Sequence, residues 1–390
     1  MNDILIYDNI HGYIEIDPIA KQIIDTKEFQ RLRRIKQSGV VSYVFPTAIN
    51  TRFEHSIGVY HLAKQMIIRL RDNQPELNIN DSVIKVISIA GLCHDLGHMM
   101  FSHLYDDYIE GMYDGISTHE DRSIKILDHI INKYNIDIKY YELEAIGDII
   151  LCNIDNYYRW NTKLKVGKFL FQIVANKKNN IDVDKFDYIN RDNNAVGLKF
   201  DANFSRLLLQ ARVINDEICY PKQTQDEIFH MFFIRYQLHK TVYTHKTVKA
   251  IELLITQIIE ELQVNDCFNI VDCTLEVDEM IKLTDNFIYK FDNDKINQLL
   301  TDIDTRNLPK LVYENITNEE FELSEEELKQ YGKNIKIVKN KIGYVSGNEN
   351  PLNNITYYNT KTNEIVKMRK KYSLLTNDDY REYIYRIYKL

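Results

Sequence analysis

The chain has 390 residues, 44% of them hydrophobic, and its 49 basic and 57 acidic side chains give a formal charge of −8. That length leaves room for two or three domains and a large core. The acidic balance argues against a general nucleic-acid coat, so nucleic acid is not indicated as a partner, although a local basic pocket for phosphates stays compatible with it.

Five scattered cysteines (Cys93, Cys152, Cys219, Cys267, Cys273) show no paired spacing. They point to a reducing, intracellular setting. The start, Met-Asn-Asp, has no basic and apolar leader pattern, and no apolar run approaches a membrane span. The expectation is a soluble intracellular protein with no membrane partner.

Ile4–Tyr7 reads as a short extended piece, and Asp8-Asn-Ile-His11-Gly12 as a turn. Residues 23–35 read as a helix in which Arg31, Arg33 and Arg34 sit among Phe29, Leu32 and Ile35; the spacing alone favours a solvated basic face. Residues 51–72 fit an amphipathic helix, with Ile57, Tyr60, Ala63, Met66, Ile67 and Leu70 at three-and-four spacing and His55 in the first turn. Asn80-Asp81-Ser82 offers N-cap chemistry for an almost wholly apolar run, Val83–Leu92. A helix that apolar is a buried one. It ends in His94-Asp95, with Gly97 as a C-cap and His98, His103, Asp106 and Asp107 close behind. Burying His and Asp is costly unless they are paired or hold a metal.

Ser117-Thr-His119-Glu120 has capping-box spacing, which puts His119 in the first turn of the next helix. A histidine there feels the helix dipole and tends to stay neutral, or to bind anions if charged. Residues 181–192 form a second dense stretch, in which Asp184, Tyr188 and either Arg191 or Asp192 share a face. Residues 226–262 read as one long helix carrying Arg235, His239, Tyr243, His245 and Lys246. Near residue 300 the character changes. Ile335–Val338, Asn354–Tyr358 and Glu364–Met368 look like strands with a hairpin loop.

His55, His94, Asp95 and Asp184 stand out as one metal set. Two imidazoles and two carboxylates suit Fe, Mn or Zn in an open site, not a structural thiolate centre. His11, His61, His129 and His230 read as ordinary packed or surface histidines, and His98 as a residue that orients a ligand or phosphate.

The strings Asp8-Asn-Ile-His-Gly, Ile24-Asp-Thr-Lys-Glu-Phe-Gln-Arg-Leu-Arg33, Arg52-Phe-Glu-His-Ser-Ile-Gly, Ile89-Ala-Gly-Leu-Cys-His-Asp-Leu-Gly-His, Phe101-Ser-His, Thr118-His-Glu and Asp182-Val-Asp-Lys-Phe-Asp-Tyr-Ile-Asn-Arg-Asp192 carry a resemblance. In that order they resemble the HD-domain metal-dependent phosphohydrolases. More narrowly, they resemble the deoxynucleoside triphosphate triphosphohydrolases whose vertebrate member joins a sterile alpha motif to an HD domain. The resemblance starts within the first ten residues, so no such extra N-terminal domain is expected. It implies a mainly α fold: an HD-domain helical catalytic core over 1–300 and a smaller C-terminal mixed α/β lobe over 301–390.

The resemblance also implies roles. His55, His94, Asp95 and Asp184 would bind the metal, and a dNTP would be cleaved to deoxynucleoside and inorganic triphosphate. His103, Asp106 and His119 match the family's catalytic set. Arg52, Lys185 and Arg235 would hold the triphosphate with its Mg2+. Gln37, Tyr188 and Asp192 would read the sugar, with Tyr243 closing against a 2′ hydroxyl. Where the family usually has Leu to pack the deoxyribose, this chain has Ser38, which leaves discrimination against ribonucleotides open. Asp25, Gln30, Arg33, Arg306 and Lys310 match an activating GTP or dGTP site, and Arg206 matches part of a second nucleotide site. The basic residue expected near the N-terminus for the guanine site falls at Ile4; those expected in the second site fall at Pro221, Gln223 and Glu349, so a changed or absent second site is expected. A homo-oligomer, dimer or tetramer, follows from the family. The rivals are another HD reaction, such as a 5′-nucleotidase or phosphodiesterase, and a non-catalytic nucleotide sensor or nucleic-acid binder.

Overall fold

The computed structural model describes residues 4–112, 117–265, 269–344, 350–366 and 381–390. Glu349, Cys267 and the end of the strand expected over 364–368 lie outside them. The fold is mainly helical with a few small sheets.

A hairpin of β1 (Ile4–Asp8) and β2 (Gly12–Ile16) opens the chain, turning through Gly12 at φ 73°. The helix expected over 23–35 is broken. α1 (Pro18–Ile24) stops at Asp25, and Thr26 caps α2 (Lys27–Gln30) by accepting from the Phe29 N–H. Nor is the arginine face solvated throughout. Arg31 is fully buried and donates to the carbonyls of His98, at 2.8 Å, and Leu96, so it braces the turn that follows His94-Asp95. Arg33 lies over the Phe53 ring at 3.5 Å.

α3 (Arg52–Asn73) and α4 (Asp81–Cys93) form the central pair. Gly91 lets them approach; a Cβ there would meet the Val59 carbonyl at 3.0 Å. α4 is capped by Asn80 and ends at Cys93, with His94 as its C-cap. Gly97 is therefore not the cap. α5 (His103–Met112), α6 (His119–Tyr134), α7 (Tyr140–Leu151), α8 (Tyr157–Leu164), α9 (Val183–Ala195), α10 (Ser205–Gln210) and α11 (Gln225–Leu238) follow. The long helix expected over 226–262 is interrupted by a π turn, His239–Tyr243, before α12 (Lys246–Val264). Such turns concentrate at functional sites because they widen the helix and re-aim side chains.

β3 (Arg212–Ile214) and β4 (Glu217–Pro221) pair antiparallel. In the tail, β5 (Lys310–Thr317), β6 (Ile335–Gly343), β7 (Tyr357–Tyr358), β8 (Ile365–Val366) and β9 (Arg381–Lys389) build two sheets. One has the antiparallel order β5-β9-β6. The other adds β7 parallel to β4 and then β8. β6 leans on α11, where Arg235 Nη1 donates to the Gly343 carbonyl at 2.8 Å, and Tyr388 of β9 donates to the Lys246 carbonyl at 2.9 Å. Among the described residues no helix is long and apolar enough to cross a membrane.

Candidate active site

Thr51 and Glu54 form a capping box that fixes the first turn of α3, and with it His55, which is fully buried. His94 and Asp95 leave the end of α4, and Asp184 stands in the first turn of α9. The three elements bring these side chains together. His55 Nε2 lies 3.3 Å from His94 Nε2 and 3.1 Å from Asp184 Oδ1, and His94 Nε2 lies 3.5 Å from the same oxygen. Asp95 is divided: one oxygen is 3.4 Å from His55 Nε2, and the other is 3.4 Å from His94 Nε2. It also takes an ion pair from Arg52.

The ring tautomers follow from the far nitrogens. His94 Nδ1 faces the Gly91 carbonyl at 2.8 Å, and a carbonyl only accepts. His55 Nδ1 faces the Asp187 carboxylate at 2.7 Å. Both rings therefore carry their proton on Nδ1 and turn bare Nε2 lone pairs toward each other and toward two carboxylates. A buried cluster of electron pairs like this is unfavourable without a cation. A proton on each Nε2 is the alternative to a metal cation there: burial works against charging the two rings, yet the surrounding carboxylates outweigh it. Asp184, Asp187 and Asp95 raise His55 well above an ordinary histidine, and Asp95 and Asp184 raise His94. The donor set, all N and O with no thiolate, fits a divalent metal.

The layer behind the cluster is dense. Burial would raise the Asp187 carboxyl, but Arg191, His11 and His55 hold it far below the usual carboxylate range. Arg191 binds Asp187 with two bonds of 2.9 Å and reaches Asp8 at 2.9 Å. His11 Nε2 meets the other Asp187 oxygen at 2.7 Å. His11 is thus no ordinary surface histidine; it belongs to the shell that holds His55. A Cβ on Gly58 would lie 1.9 Å from Asp187 Oδ1, so only glycine admits this carboxylate beside α3. The open choice on α9 is also settled: Asp184, Tyr188 and Asp192 face the cleft, while Arg191 turns toward Asp8.

The cluster borders a cleft of about 560 Å3, a size suited to a small-molecule ligand. Gln37, Arg52, Lys185, Tyr188, Asp192, Arg235, Tyr243, His103 and His119 all line it, together with Asn340, Lys341 and Ile342 of β6. His55, His94 and Asp106 stand behind its wall. A second cavity of the same volume lies near His61, Gln65 and Asn190. None of His55, His94, Asp95 and Asp184 lines it.

On one flank His98, His103, His119 and Asp106 gather. The His98 and His119 rings stack at 4.1 Å. Asp106 Oδ2 lies 3.3 Å from His98 Nδ1, 3.4 Å from His119 Nδ1 and 3.8 Å from His103 Nδ1, and Arg122 pairs with its other oxygen. His103 is 67% exposed, to the open cleft. His98 Nε2 is 3.4 Å from Asp95 Oδ1, a link back to the metal set. The capping box here is Thr118 with Asp121, one residue later than expected. His119 is not kept neutral by the helix dipole: against the penalty of burial, Asp106 and Glu120 raise it above the ordinary value. Gly97 has a packing role; a Cβ there would lie 2.0 Å from the His119 carbonyl.

On the other flank Asp192 accepts from Tyr243 at 2.6 Å, Asn50 at 2.8 Å and Ser38 at 3.3 Å. The π turn is what brings Tyr243 to it. Lys185 is held by Asp182 at 2.9 Å.

The residues expected at an activator site are more scattered. Asp25 pairs with Lys21, Gln30 donates to the Ile24 carbonyl at 2.8 Å, and Arg33 donates to Gln30 at 2.8 Å. Arg206 pairs with Glu227 at 2.5 Å. Arg306 and Lys310 are exposed, before and at the start of β5. Ile4 sits on β1, Pro221 ends β4 and Gln223 follows it.

A helical body that brings histidines and aspartates together at a polar cleft fits an HD-type hydrolase, and the HD domain family matches residues 52–191. Similarity extends well beyond that segment. The chain is 34% identical to the Bos taurus deoxynucleoside triphosphate triphosphohydrolase SAMHD1, over 98% of this chain and 74% of that protein. It is 32% identical to the Homo sapiens protein of the same name, over 98% and 70%. It is 38% identical to the Dictyostelium discoideum SAMHD1 homolog, over 80% of this chain and 61% of that longer protein. The chain belongs to this family of HD-domain hydrolases.

Proposed function

We propose that this protein hydrolyses dNTPs to deoxynucleoside and inorganic triphosphate. One observation carries the reading. The Nε2 atoms of His55 and His94, with Asp95 and Asp184, converge beside a cleft that Arg52, Lys185 and Arg235 line as cations. A metal held by the four ligands, Fe, Mn or Zn, supplies activation of water and polarisation of the α-phosphate.

The chain's own residues do the rest. Arg52, Lys185 and Arg235 neutralise the triphosphate, with Mg2+ accompanying it. Asp192, held by Tyr243 and Asn50, fixes the sugar together with Gln37 and Tyr188. His119, kept protonated by Asp106, donates to the leaving 5′ oxygen, and His103 lines the same flank. Three cations suit a triphosphate better than a nucleotide monophosphate or a cyclic diester, which disfavours the rival HD reactions. A nucleotide sensor has no need of the His119–Asp106 pair.

The exposed Asp25, Arg33, Arg306 and Lys310, with the half-buried Gln30, would take GTP or dGTP as an activator in a dimer or tetramer. With Pro221 and Gln223 in place of basic residues, the second nucleotide site that includes Arg206 is weakened, so activity is basal or needs one activator only. The test is product analysis of metal-loaded protein with dGTP and dATP, with and without GTP. Triphosphate and deoxynucleoside are expected; orthophosphate as the first product would overturn the reading.

A further inference from the structure

Asp285 begins a short 3-10 turn (Asp285–Lys290), far in sequence from the segment that carries the metal set. It is 9% exposed. Its two carboxylate oxygens serve two different loops. Oδ2 accepts the Lys36 backbone N–H at 2.9 Å, and Oδ1 accepts the Phe101 backbone N–H at 2.7 Å. Lys36 immediately precedes Gln37 and Ser38. Phe101 and Ser102 immediately precede His103.

The second loop is strained. Phe101 and Ser102 hold φ values of 60° and 55°, a region that side-chain-bearing residues keep only when their surroundings impose it. The bonds around them do so. Ser102 Oγ donates to the Lys36 carbonyl at 2.8 Å and accepts from Arg52 Nε at 3.0 Å. Gly39, itself at φ 54°, abuts the Phe101 carbonyl, where a Cβ would come within 2.9 Å.

We propose that Asp285 is a positioning residue: it ties the loop bearing Gln37 and Ser38 to the strained loop bearing His103 and so sets the width of the cleft between its sugar side and its proton-transfer side. The roles of those two sides rest on the function proposed above; the tether itself does not. Burial pushes the Asp285 carboxyl up to about 6, against the two backbone donors and the charges of Lys36 and Arg52. At neutral pH it is still ionised, and both oxygens accept.

Asp285→Asn keeps the shape but replaces one acceptor with a donor, so one of the two backbone N–H groups loses its partner. Asp285→Ser is the second variant. Hydrogen exchange is followed in the full-length, metal-loaded protein beside steady-state kinetics. In wild type the Lys36 and Phe101 amides are expected among the slow ones although both lie in loops. In the variants both segments exchange faster while α4 and α9 are unchanged. The variants' kcat falls about 10- to 100-fold, the effect of a small misplacement, with KM and metal content near wild type. A merely structural role would lower metal content and kcat together. Loop-like exchange of both amides in wild type would overturn the tether even if no variant folds. Wild-type exchange and kcat in both variants would overturn it as well. If wild type releases no triphosphate, the exchange result still decides the tether, and only the proposed reaction fails.

Discussion

His55 Nε2 and His94 Nε2 face each other at 3.3 Å while each ring's Nδ1 is already bound, one by Asp187 and one by the Gly91 carbonyl. With Nδ1 engaged on each ring, Nε2 is the nitrogen left to bind the proposed metal. The lock on His55 is Asp187. Asp187→Asn removes its charge, and the expected result is a loss of about 10- to 100-fold in metal affinity, read by chelator competition. Unchanged affinity would mean that Asp187 does not set the His55 tautomer.

Metal binding to the folded state alone stabilises it by mass action. At a concentration about 100 times the Kd, the gain is about 2.7 kcal/mol, visible as a rise in Tm on adding Mn2+. Chelation should abolish hydrolysis, and Mn2+ or Fe2+ should restore it. Asp184→Ala should show neither the Tm shift nor the activity.

His119 is raised above its ordinary value by Asp106 and Glu120, and a raised histidine loses its proton as pH climbs through that raised pKa. Activity that needs protonated His119 is therefore full below about 6.5 and falls on the alkaline side of it. The stabilising His119–Asp106 ion pair fades over the same window. In Asp106→Asn the largest opposing interaction is gone, and the alkaline limb of the rate profile moves to lower pH. A limb at the same pH in both proteins would remove His119 from the proton-donor role.

Gly97→Ala would place a Cβ 2.0 Å from the His119 carbonyl and 2.5 Å from the Ser123 nitrogen, both backbone atoms. The start of α6 has to move. A loss of about 1–3 kcal/mol is expected in denaturant unfolding, with kcat reduced because His119 moves with the helix.

Ser38 offers Asp192 a hydrogen bond at 3.3 Å, long enough to be given up to a sugar hydroxyl. Wild type should therefore cleave GTP measurably beside dGTP. Ser38→Leu leaves a 2′ hydroxyl unpaired, a cost of about 1–3 kcal/mol, so the GTP-to-dGTP ratio of kcat/KM drops by about tenfold or more. An unchanged ratio would place ribose discrimination elsewhere.

The parts of this site that could be read from sequence are the ones where polarity breaks a pattern. His94 and Asp95 end an apolar helix, and Asp184 and Tyr188 recur at helical spacing; that the two meet at one cleft was implied by the family resemblance, not by the spacing. What escaped depends on tertiary contact. The charges of Arg31, Asp187 and Arg191 are buried because each meets a partner from another element, and helix periodicity reads such residues as solvated. His11 looked ordinary because its partner is 176 residues away. Propensity favoured continuous helices through Asp25-Thr26 and through His239–Tyr243; the Thr26 cap and the π turn prevailed. Asp285 carried no signal, since its function lies in two backbone N–H groups it does not adjoin in sequence.

The central claim is that this cleft splits the bond between the 5′ oxygen and the α-phosphorus. Hydrolysis of dGTP by the metal-loaded protein in 18O-labelled water, with Asp95→Ala beside it, tests that directly. Wild type should yield triphosphate carrying one 18O and unlabelled deoxyguanosine, and Asp95→Ala should yield neither. Label in orthophosphate or in a nucleotide product, or equal turnover by Asp95→Ala, would contradict the account.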